Sequence, residues 1–172
     1  MTDLAARAAT ADLLPLSHGT LTLSEEMPDA ITSLVPLGGA SDILPPPGRS
    51  ITHADGGTLL WSGLGQAMLL GPVPEPVTDV ATTDQTGAWA VLLLEGADVR
   101  DALARLTPLD LDPAIFAEGY TARSLLGHMN ALFHRAGPDA FLILVFRSMA
   151  GSAVHEIEVA MRGVAARARA GS

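Results

Sequence analysis

Ala88-Trp89-Ala90-Val91-Leu92-Leu93-Leu94, followed by Glu95-Gly96, is the stretch on which the fold turns. Trp89, Val91 and Leu93 alternate with Ala90, Leu92 and Leu94, so both faces are apolar, as in a central strand covered on both sides. After Gly96, residues 97–106 place Val99, Ala102, Leu103 and Leu106 at i, i+3, i+4 and i+7, with Asp98 and Asp101 near the start. This spacing predicts an amphipathic helix ended by Thr107-Pro108. Three strands are expected next, over 120–126, 129–135 and 140–147, turning at Gly127-His128 and at Gly137-Pro138-Asp139. Residues 149–167 then read as a second helix, with Ala153, Ile157, Ala160, Met161, Val164 and Ala168 on one stripe and Ser148 as N-cap. Strand, helix, three consecutive strands and helix predict an α+β fold: a mainly antiparallel sheet with two covering helices.

Upstream, residues 58–62 and 67–70 read as short strands around Gly63-Leu64-Gly65, and 79–83 as another strand after a proline-rich link over 72–76. Before residue 58 the periodicity is weak. Pro15, Pro28, Pro36 and Pro45-Pro46-Pro47 interrupt the apolar runs, so 16–49 reads as an extended arm. Leu21, Leu23, Ile31, Leu34, Val35 and Leu37 are too many apolar residues for a solvated tail and predict that it docks on a surface. A short helix over 2–13 precedes it. The expected organisation is a proline-rich, partly irregular arm (1–57), an α+β domain (58–168) and a tail (169–172).

Composition narrows the chemistry. Cysteine and lysine are both absent, which removes disulfides, thiolate ligands and nucleophiles, Schiff bases and the P-loop lysine. The formal charge of −9 lies in the first half: eleven acids against Arg7 and Arg49 up to residue 97, and eight acids against eight arginines afterwards. Ten arginines without a basic stripe argue against nucleic acid. Apolar runs such as 88–94 and 140–146 are too short to cross a bilayer. Residues 1–14 carry two aspartates and no long apolar run, so no secretory signal is expected and the chain reads as cytoplasmic.

Candidate chemistry is sparse. Asp110 and Asp112 could form an acid/base pair, but between Pro108 and Pro113 they fit an Asx-rich turn better. His128 and His134 share a strand parity but stand on the order of 20 Å apart at the strand rise, too far to share a metal. His155, His18 and His53 read as surface or loop residues, and Glu25 and Glu26 as solvated charges. Arg123 and Arg135 on neighbouring strands could clamp a carboxylate, though rim salt bridges are the commoner role. No Gly-x-Ser-x-Gly is present, and Gly63-Leu64-Gly65 lacks the third glycine and the helix of a dinucleotide fingerprint. No catalytic, cofactor-binding or metal residue is therefore expected in this chain.

Several segments read together resemble the gamma subunit of heterotetrameric sarcosine oxidase, itself similar to part of the folate-binding, glycine-cleavage T-protein-like domains. They are Leu60-Trp61-Ser62-Gly63-Leu64-Gly65-Gln66 with Leu69-Leu70-Gly71-Pro72, and Thr83-Asp84-Gln85-Thr86-Gly87 running into the 88–96 strand. Residues 97–106, Pro108-Leu109-Asp110-Leu111, Ala122-Arg123-Ser124-Leu125-Leu126-Gly127-His128, Leu132-Phe133-His134-Arg135 and 139–148 continue the match. Leu64 stands where the family usually has proline, and Ala67-Met68 where an aromatic is common. The resemblance implies a split βαβ (ferredoxin-like) or T-protein-like arrangement and a non-catalytic assembly role in a complex that demethylates sarcosine to glycine. FAD, FMN, NAD, tetrahydrofolate and zinc would belong to the alpha, beta and delta partner subunits, with alpha the direct contact. The expected interface residues are Trp61, Leu64, Met68, Arg123, His134 and Arg135, with an exposed apolar patch around the first three or along the arm. Two alternatives stand beside this reading: an independent folate-binding aminomethyltransferase-like protein and an unrelated scaffold module.

Overall fold

The computed structural model describes residues 8–38, 43–54, 56–73 and 79–171. In chain order they form β1 (Leu16–His18), β2 (Leu21–Glu26), β3 (Ile31–Pro36), β4 (Ser50–Thr52), β5 (Thr58–Gly63), β6 (Gln66–Leu70), β7 (Val80–Asp84) and β8 (Trp89–Glu95). Then come α1 (Val99–Leu103), β9 (Thr121–Leu126), β10 (Met129–Gly137), β11 (Ala140–Phe146) and α2 (Ala150–Ala170), the last entered through a tight turn at Arg147–Met149. One sheet has six strands ordered β1-β2-β8-β11-β10-β9; the other has five, ordered β4-β5-β6-β3-β7. All pairings between these strands are antiparallel. The fold is α+β, with mostly antiparallel sheets and two helices.

The 88–94 stretch is a central strand, as its composition demands. β8 lies between β2 and β11, with Leu94 opposite Leu23 and Phe141. Ala90, Leu92 and Leu94 face the helices and pack in one core with Leu23, Phe133, Phe141, Ile143, Leu103, Ile157 and Met161. Val91 faces the other way, where Leu132 and Leu144 meet Ile31, Leu60, Met68 and Leu70 of the second sheet. Leu34, Leu59, Ala67 and Leu69 form a smaller cluster with Ile43, Leu44 and Val80 on the far side of that sheet. Each fully buried large aliphatic or aromatic side chain in these layers contributes about 1.5–3 kcal/mol.

The arm reading is corrected. Residues 16–36 supply three strands, and β2 and β3 are interior strands of different sheets. The prolines punctuate them without interrupting them: Pro15 precedes β1, Pro28 lies between β2 and β3, and Pro36 is the last residue of β3. Leu21, Leu23, Ile31 and Leu34, assigned to docking, are at most 2 % exposed and belong to the cores. The first six residues of the helix expected over 2–13 lie outside the described residues, and its remainder is a turn with Leu13 N–H donating to the Thr10 carbonyl at 2.8 Å.

Smaller corrections follow the same logic. The first helix covers only Val99–Leu103, because Ala104 to Leu106 form a tighter turn in which Leu106 N–H reaches the Leu103 carbonyl. Ser148 is not a cap: it lies inside the turn before α2, whose first flanking residue is Met149. The tail is helical as far as Ala170. A split βαβ unit needs β8 and β9 parallel, but three antiparallel steps through β11 and β10 leave them antiparallel.

The chain passes between the sheets at residues 27–30, fixed by Gly71 N–H to the Ala30 carbonyl at 2.8 Å and Ile31 N–H to Thr86 Oγ1 at 3.0 Å. Elsewhere the sheets are joined where Ser50 N–H donates to the Gly119 carbonyl at 2.8 Å and Thr121 N–H to the Gly48 carbonyl at 2.9 Å. The Arg49 guanidinium stacks there 3.3 Å over the Tyr120 ring.

Candidate functional site

The second sheet does not cover the whole of the first. Where β8 ends and β11 begins, Leu93, Ala140 and Leu142 lie beyond its reach and floor a cleft of about 740 Å³. Its walls are the β2–β3 crossing (Met27, Pro28, Asp29) and the ends of β5 and β6 with Gly71 and Pro72. Leu93 and Leu142 are half-buried, unlike the fully enclosed Leu92 and Ile143 beside them.

His134 on β10 also lines this cleft. Strand alternation sends it to the same face as Leu132, and its side chain is only 6 % exposed. Nδ1 lies 3.3 Å from the Tyr120 carbonyl oxygen. Burial holds its pKa below the ordinary value, outweighing the opposing pull of that hydrogen bond. Three carboxylates, Glu26, Asp29 and Glu95, also line it, and among the described residues no arginine does.

The residues expected at an interface separate into different environments. Leu64 at the tip of the β5–β6 turn is 97 % exposed. Trp61 is half-buried and Met68 is 7 % exposed within the inter-sheet core, so the three do not form one surface patch. Arg123 is exposed and reaches the Ser62 carbonyl at 3.5 Å. Arg135 is 5 % exposed on the opposite, helix-facing side of the sheet. Its guanidinium donates to the carbonyls of Gly137, Phe116 and Pro138 at 3.2, 2.8 and 2.6 Å. A two-arginine clamp is therefore sterically ruled out: Arg123 faces with Leu132 and Arg135 with Phe141. Met68, His134 and Arg135 lie inside this chain, and their assignment to an outer surface is corrected.

Other candidates resolve into local structure. Asp110 Oδ1 accepts from Asp112 N–H at 3.0 Å and Asp112 Oδ1 from Ala114 N–H at 2.8 Å, as consecutive Asx turns do. Glu25, read as solvated, accepts from the backbone N–H of Ala9 and Thr10 at 3.0 and 2.8 Å. His128 lies in the β9–β10 turn, not on a strand. His18 Nε2 is 3.3 Å from Glu158, which also pairs with Arg162. Among the described residues no group of three or more His, Asp or Glu side chains is placed to hold a metal, and no helix is long and apolar enough to cross a membrane.

With this geometry in hand, comparison with solved structures finds a chain of the heterotetrameric sarcosine oxidase from Corynebacterium sp. U-96, in complex with pyrrole 2-carboxylate. The TM-score is 0.78 at 19 % identity, over 93 % of this chain and 96 % of that one. This chain has that fold. No family model matches the sequence, and no curated protein matches it significantly. The likeness lies in the fold.

The cleft escaped the sequence reading because its lining comes from separated strands. Only the even spacing of Leu132 and His134 pointed toward it, and nothing in that spacing says that the second sheet stops short.

Proposed function

We propose that the chain is a non-catalytic, gamma-type subunit of a heterotetrameric sarcosine oxidase or of an oxidase of a related N-methyl amine. It docks on a larger flavin-bearing chain, the alpha subunit in the first instance, and stabilises the assembly in the cytoplasm. The observation that carries this reading is the fold match, which spans nearly all of both chains and so relates two proteins of similar length. The order of the family-like segments from Leu60 to Ser148 supports it independently. So does the employment of the chain's paired carboxylates and buried arginine in turns and backbone clips. FAD, FMN, NAD, tetrahydrofolate and zinc belong, on this reading, to the alpha, beta and delta partners. The exposed Leu64, Leu125 and Phe146 offer apolar contact for docking.

Co-expression with candidate flavin-bearing and zinc-binding partner chains is the test. The expected product is a yellow, stoichiometric complex that oxidises sarcosine or another N-methyl amine and is lost or unstable when this chain is omitted. A stable monomer that never co-purifies with those chains, together with full assembly and activity in its absence, overturns the proposal.

A further inference from the structure

We propose that the inter-sheet cleft binds a small protonated amine with a compact apolar body. This goes beyond the subunit reading and does not depend on it. The volume, about 740 Å³, lies within the range of small-molecule clefts, and the floor of Leu93, Ala140 and Leu142 offers apolar surface. The polar groups then decide the chemistry of the occupant.

The Tyr120 carbonyl can only accept a hydrogen bond, so His134 Nδ1 carries the proton in that contact. Burial keeps the ring neutral by disfavouring its charged form. A neutral ring protonated on Nδ1 has a bare lone pair on Nε2, and no hydrogen bond to that nitrogen is present among the described residues. A cleft-lining ring that is 6 % exposed therefore holds an unused acceptor.

The carboxylates point the same way. Glu26 stands directly opposite Val91, and Glu95 lies two residues beyond Leu93, so both share the face that forms the floor. Asp29 adds a third acid from the crossing loop, and among the described residues no arginine lines the cleft. A ligand carboxylate would meet three like charges, whereas an ammonium donates an N–H to Nε2 and is compensated by the rim. The site thus selects amines over anions and over zwitterionic amino acids.

The experiment uses the full-length chain labelled with ¹⁵N-histidine and titrated at low ionic strength with benzylamine, benzyl alcohol, benzoate and phenylalanine. Benzylamine should shift the His134 Nε2 resonance saturably, while benzoate and phenylalanine leave it unmoved and benzyl alcohol binds more weakly. Glu26→Gln combined with Glu95→Gln should weaken benzylamine about fivefold, as loss of two partly screened ion pairs does. His134→Leu should weaken it about tenfold. Should that core substitution prevent folding, the paired glutamine variant, which alters only exposed side chains, still decides. Benzoate or phenylalanine binding as tightly as benzylamine, an unweakened glutamine variant, or no benzylamine binding in the cleft overturns the proposal.

Discussion

The two faces of the six-stranded sheet are built from the same strands yet end in different states. On the helix side, Phe133, Phe141, Leu92 and Leu94 are sealed beneath α1 and α2, with exposures at or near zero. On the other side the second sheet covers Val91, Leu132 and Leu144 but leaves Leu93 and Leu142 half-buried in a cleft. Consecutive residues of β10, Leu132, Phe133 and His134, sample the closed side once and the partly open side twice. What differs is the length of the covering layer: a helix of 21 residues reaches across the sheet, whereas strands of five or six residues do not.

This contrast can be broken by substitution. Phe133→Ala should cost about 3–5 kcal/mol in urea unfolding, because helices and strands enclose the ring and leave the cavity little room to collapse. Leu132→Ala, one residue away on the inter-sheet face, should cost about 2–3 kcal/mol, near the lower end for a buried leucine. That layer is smaller and borders open space. Equal losses at the two positions would show that the faces are packed alike.

Acid should distinguish the faces as well. His134 is held below its ordinary value of 6.5 in the folded chain, so the folded state binds fewer protons than the unfolded one as pH falls through that value. Its contribution to stability is complete above the unfolded value and declines as pH drops from there toward the lowered folded value. The melting temperature of wild type should therefore fall more steeply between pH 7.5 and 5 than that of His134→Gln. Parallel slopes would mean that burial does not hold the ring neutral. The smallest effect is expected at Leu64→Ser: within about 0.5 kcal/mol on stability, as for surface substitutions away from special features. If the β5–β6 tip is a docking contact, pull-down of partner chains weakens while the melting curve stays in place.

The second half of the chain was legible because its elements are long and strongly patterned. The seven apolar residues from Ala88 to Leu94 read as a covered strand, and the stripe through Ile157, Met161 and Val164 read as one face of a helix. Residues 16–36 were not, since strands of three to six residues give one to three alternations each and prolines at their ends resemble prolines within them. Leu21 and Leu23 alternate with Ser and Thr as an interior strand should, but only two periods are present. The candidate interface residues fared unevenly for a related reason. Parity along a strand tells that Arg123 and Arg135 occupy definite faces, not which face a helix or a second sheet will bury.

By itself the sequence determined the α+β class, the central strand, the long C-terminal helix and the exclusion of thiol and lysine chemistry, because each follows from local periodicity or composition. Only the tertiary structure decided that the proline-broken start belongs to both sheets and that Arg135 is a backbone clip. It also decided that His134 lines a cleft with Glu26, Asp29 and Glu95. These depend on which strands pair and where a covering layer stops, and hydrogen bonds between residues far apart in the chain set both.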